Sequence, residues 1–134
     1  MVPQNYTHVS IILLLLCIAA ICCAGCSQTS KVNTFTEDDN GITVTMGMSD
    51  TAVVTLESNP TTGYEWKAST TGNLVITDEK FVSDNVPGMV GEGGKQQWTL
   101  AANAPGTYEF TAVYERPWEE TEADKTYQLT FIFT

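Results

Sequence analysis

Tyr108-Glu109-Phe110-Thr111-Ala112-Val113-Tyr114, followed by Tyr127-Gln128-Leu129-Thr130-Phe131-Ile132-Phe133, decides the fold. In both runs every second residue is aromatic or apolar, which is the period of a strand with one face in a core. Working outward, Ile42, Val44 and Met46 alternate with threonines, and Ala52, Val54 and Leu56 follow the same rule. Tyr64–Ala68, Leu74–Ile76 and Gln97–Ala101 complete the set, with Gly, Pro, Asn and Asp marking the turns between them. No long segment has the 3.6-residue period of an amphipathic helix. Seven short strands between residues 41 and 134 predict an all-β protein, an immunoglobulin-like seven-stranded β-sandwich. Trp66 and Trp98 fall within strands and are expected in the core. Asn103-Ala104-Pro105-Gly106 is expected to be a turn.

The chain has 134 residues, 16 acidic and 6 basic, for a net charge of −10. Every charged side chain lies after Cys26, and every cysteine lies at or before it. The only histidine is His8. The body therefore lacks the groups for a Ser-His-Asp triad, a Cys-His pair, a zinc site built on His or Cys, or an internal disulfide. Its acidity disfavours phosphate backbones, so no nucleic-acid partner is expected. What remains is carboxylate chemistry, binding of hard cations, or surface recognition. The run Asp38-Asp39-Asn40-Gly41 suggests a calcium loop, but with Gly41 sixth the twelfth position is Gly47 rather than Glu. A turn into a strand is the better reading, and no metal or cofactor is expected.

Val9 to Ala24 is uncharged and too short for an ordinary membrane span of about 20 residues, but it suits the core of a signal peptide. It leads into Cys23-Ala24-Gly25-Cys26-Ser27, which resembles the lipobox of prokaryotic lipoproteins. In such proteins the leader is cut before a cysteine that then carries lipid. Two features depart from that pattern: Cys23 stands where leucine is usual, and the start has no Lys or Arg. An uncleaved anchor helix is the alternative. The expected organisation is a lipoprotein signal peptide over 1–25, a tether over 26–40 beginning at lipidated Cys26, and one domain over 41–134. The body is then exported and membrane-anchored on the extracytoplasmic side. Fully extended, the tether would reach roughly 45 Å.

Three connections are not ordinary turns. Asn59-Pro60-Thr61-Thr62-Gly63-Tyr64 follows the second expected strand, Gly91-Glu92-Gly93-Gly94 closes a long stretch from Ser83, and Arg116-Pro117-Trp118 opens an acidic run to Asp124. In a seven-stranded sandwich these are the BC, DE and FG connections, at one end of the fold. Pro60 fixes its own φ and pushes Asn59 towards extended backbone, and Gly63 can take a left-handed turn. The BC loop is thus expected to be partly rigid, which lowers the ordering cost of binding. Trp and Arg are common interface hot spots.

In this order, the three motifs resemble the signature loops of the chagasin family, inhibitors of papain-like cysteine proteases. The resemblance covers the chain from about Gly41 to Thr134. It implies a reversible inhibitor that occludes the protease active site, without catalytic residues of its own. It also implies that Thr61 and Thr62 come nearest the catalytic cysteine and histidine. Arg116 and Trp118 would flank one side of the cleft, and main-chain contacts from Gly91 to Gly94 the other. A monomer is expected. Against this stand an adhesion or carbohydrate-binding sandwich, suggested by the acidic loops and export signal, and more distantly a carboxylate hydrolase. Glu115, Glu119, Glu120, Glu122 and Asp124 are expected to form a solvated acidic loop.

Overall fold

The computed structural model describes residues 29–84, 87–88, 93–119 and 125–134. Two four-stranded sheets pack face to face. The first has the order β1-β3-β6-β5, with β1 at Val32–Phe35, β3 at Thr51–Ser58, β6 at Gly94–Ala102 and β5 at Leu74–Ser83. The second has the order β2-β8-β7-β4, with β2 at Thr43–Met46, β8 at Lys125–Phe133, β7 at Gly106–Glu115 and β4 at Glu65–Thr70. The expected seven strands are all present, and β1 is an eighth. It lies in the stretch assigned to the tether, where it pairs parallel with β3, Val32 opposite Thr51. Only Phe35 of this strand is buried, so its side chains carry little alternation for a sequence reading to find.

The alternation in β7 and β8 becomes the inner face of the second sheet. Tyr108, Phe110, Ala112 and Tyr114 point inward beside Tyr127, Leu129, Phe131 and Phe133, all buried. Ala52, Val54, Leu56, Trp98 and Leu100 face them from the first sheet. At roughly 1.5–3 kcal/mol for each large side chain fully buried, this interior is the main stabilising term and replaces the missing disulfide. Trp98 is fully buried, with Phe110 at 5.5 Å and Trp66 edge-on at 6.5 Å between ring centroids. Trp66 is also buried and donates its Nε1–H to the Glu57 carbonyl at 2.9 Å, joining the two sheets.

Strand directions give the sandwich two poles. β3 ends, β6 begins and β5 ends side by side, since Gly94 pairs with both Ser58 and Ser83. In the other sheet, β4 begins opposite the end of β7, Glu65 pairing with Glu115, and β8 begins there too, Lys125 opposite Tyr114. The BC, DE and FG connections therefore leave from one pole. At the other pole, Asp50 accepts hydrogen bonds from the Gly47 and Lys31 amides, both at 3.0 Å, which hold its carboxyl below the usual carboxylate range. The end of the chain lies there as well, with the Thr134 amide bonded to the Met46 carbonyl.

Candidate functional site

Asn59 to Tyr64 forms a turn held by its own side chains. Pro60–Thr62 is one turn of 3-10 helix, with Asn59 as N-cap and Gly63 at the C-cap with φ 81°. Pro at the first helical position suits its fixed φ, and an Asn side chain satisfies amides that the turn leaves unpaired. Asn59 Oδ1 accepts from the Thr61 amide at 3.2 Å and from Thr61 Oγ1 at 2.5 Å. Thr62 Oγ1 donates to the Asn59 carbonyl at 2.7 Å. The Asn59 amide in turn donates to Tyr114 Oη at 3.1 Å, tying the loop to β7. Pro60, Thr61 and Thr62 are all exposed at the tip.

The FG connection leans on this loop. A Cβ built on Gly63 would lie 2.4 Å from Trp118 Cη2 and 2.7 Å from Cζ2, so the indole occupies the place of the missing side chain. Trp118 nonetheless remains 67% exposed. The Arg116 guanidinium lies over the Tyr64 ring, 4.5 Å from its centroid, and donates to Glu119 Oε1 at 2.9 Å. That hydrogen bond holds the Arg116 pKa above its ordinary value. Tyr64 stacks on Tyr114, with centroids 5.3 Å apart. Pro117 is exposed between Arg116 and Trp118.

On the DE side, Gly93 lies close to the BC loop, where a Cβ would meet the Ser58 carbonyl at 3.3 Å and Asn59 Cβ at 3.8 Å. Gly94 is buried, and a Cβ there would meet the Val82 carbonyl at 2.3 Å. The missing side chain of Gly94 is thus required inside the protein. Gly91, Glu92, Cys26 and the acidic residues Glu120, Glu122 and Asp124 lie outside the described residues.

The structure therefore brings Asn59–Tyr64, Gly93, Gly94 and Arg116–Trp118 to one pole. Two supporting residues were not recognised from sequence. Tyr114 reads there as one more core aromatic, yet its hydroxyl holds the BC loop. Glu119 reads as part of a solvated acidic run, yet it fixes Arg116, and its spacing of three residues from that arginine was the available signal.

Comparison with known proteins places this geometry. Residues 45–131 match the Chagasin family peptidase inhibitor I42. Over 94 residues the chain is 34% identical to amoebiasin-1 of Entamoeba histolytica, covering 70% of this chain and 92% of that protein. It is 29% identical to chagasin of Trypanosoma cruzi over 89 residues, covering 62% and 80% respectively. Among solved structures, a cysteine protease inhibitor from Entamoeba histolytica superposes with TM-score 0.73 at 23% identity, covering 78% of this chain and 97% of that one. The solution structure of amebosin superposes with TM-score 0.65 at 32% identity, covering 79% and 99%. With the three signature motifs in sequence order, a matching family and a shared sandwich, the chain belongs to the chagasin family of peptidase inhibitors.

Proposed function

We propose that the loop-bearing pole is a wedge that enters the cleft of a papain-like cysteine protease and blocks it reversibly. The observation that carries this reading is that the BC loop is already ordered. Its caps, its bond to Tyr114 and the indole seated on Gly63 fix Thr61 and Thr62 at the tip before any partner arrives. Fixing a loop in advance reduces the entropy lost on association. A tip held away from the geometry of nucleophilic attack blocks a cleft, whereas a pliable one would be cut. The body has no thiol or imidazole, so the reacting groups at the interface are those of the target. The wedge acts by occlusion and calls for no metal.

The body without its leader suits the test, because the family match, residues 45–131, lies wholly within it. Residues 29–134 should inhibit a papain-like enzyme with a nanomolar or tighter constant, roughly 12 kcal/mol of binding. Chelators should leave the constant unchanged, and serine and metalloproteases should be unaffected. Full activity of several papain-like enzymes at micromolar body would sink the proposal. We further propose that the leader exports the domain and that Cys26 anchors it through lipid on the extracytoplasmic face of a membrane, as a monomer. The support is the uncharged segment from Val9 to Ala24 ending in Cys23-Ala24-Gly25-Cys26.

A further inference from the structure

The three loops leave one exposed aromatic at their own pole without a role. Phe81 on β5 is 41% exposed, and Val82 beside it is 47% exposed. With Trp118 they are three of the five large exposed hydrophobics among the described residues, and Val32 lies towards the opposite pole. β5 follows the core only as far as Ile76. After the irregularity between Ile76 and Asp78 its side chains are exposed, yet it stays paired with β6 as far as Ser83 and Gly94. This extension adds little to the core, but it carries Phe81 and Val82 up beside the DE connection.

The position of Phe81 is fixed by a built seat. A Cβ on Gly94 would lie 2.5 Å from Phe81 Cζ and 2.9 Å from Cε2, so the ring lies against the Gly94 backbone and leans towards the loops. Trp118 uses Gly63 in the same way. Two glycines of the signature motifs therefore each seat an exposed ring. Gly93 packs against Ser58 and Asn59 at the start of the BC loop, while Gly63 near its end carries Trp118. Phe81 is thus seated on the DE side, next to the glycine that touches Asn59, and Trp118 on the FG side.

We infer that Phe81 is a further contact for the protease: an apolar flank that meets the rim of the cleft on the DE side, while Val82, paired with Lys95, turns to the opposite face of the sheet. The inference rests on the proposed inhibitor role. Continuity with the wedge selects the protease as the occupant, and a net charge of −10 opposes a second copy of the chain at this end of the sheet order.

The test uses the body, residues 29–134. Phe81→Ala should raise the inhibition constant about 10- to 100-fold, mostly through faster dissociation, while the unfolding midpoint moves by only about 2–4 °C. A constant within twofold of the parent overturns the inference. A second arm guards against a purely structural effect. Phe81→Cys supplies the only thiol in the body and takes an environment-sensitive dye at the proposed contact before enzyme is added. Its emission should change in proportion to complex formed, and unchanged emission at full inhibition overturns the inference. A dimer lost in Phe81→Ala, seen by sedimentation, would overturn it in favour of a second copy. A parent body that inhibits no papain-like enzyme overturns both this inference and the inhibitor role.

Discussion

Gly63 and Trp118 hold the smallest unit of the site. Their spacing in sequence gives no hint of contact, because it arises only when the β3–β4 and β7–β8 connections leave the same pole. The motif Asn59–Tyr64 was legible as a turn, since Pro60 and Gly63 restrict or free the backbone locally. The indole filling the space above Gly63 was not. Gly63→Ala would place a methyl group inside that ring and force a side chain into φ 81°, which costs about 1–2 kcal/mol from the backbone alone. Trp118→Ala should raise the inhibition constant by roughly one to three orders of magnitude. It should disturb stability little, since the indole is largely exposed. Because Gly63→Ala expels the same ring, its effect on inhibition should approach that of Trp118→Ala, and the double variant should inhibit about as poorly as either single one. Effects that simply multiply would show that the seat does not couple the loops.

Among the elements, the 3-10 turn at Pro60–Thr62 is too short to persist alone and depends on its caps. Asn59 serves three ends, accepting from Thr61 through its side chain and from Thr62 through its carbonyl, and donating its amide to Tyr114. Asn59→Ala removes the side-chain cap and should cost about 0.5–2 kcal/mol, with faster amide exchange at Thr61 than in the parent. Unchanged exchange there would refute the cap as what holds the tip. Strand legibility follows the same logic. β7 and β8 were readable because one face of each is buried along its whole length. The second half of β5 was not, because its side chains are exposed after Ile76 and only backbone pairing with β6 defines it. β1 was missed because parallel pairing with β3, rather than apolar alternation, makes it a strand.

For the molecule as a whole, the poles decide how the inhibitor would face its target. β1 begins at Val32 opposite Thr51, the start of β3, and Lys31 is bonded to Asp50 at the pole away from the loops. If Cys26 is the anchor, the domain proper starts only a few residues after it. Cys26 then stands five residues before Lys31, at most about 18 Å from it when extended, and not at the longer reach expected from sequence. β3 adds eight residues, roughly 26 Å, between that pole and the BC loop. The membrane would lie behind the sandwich, with the wedge facing outward and its acidic surface held off anionic lipid. Full-length protein in membrane vesicles, leader end anchored and domain outside, should therefore inhibit added papain-like enzyme with a constant within a few-fold of that of the free body. Cys26→Ser should move the activity from the membrane pellet to the supernatant without changing that constant. Retention in the pellet would favour the uncleaved anchor helix over lipid, while an anchored form that inhibits far more weakly than the free body would mean that the wedge faces the membrane.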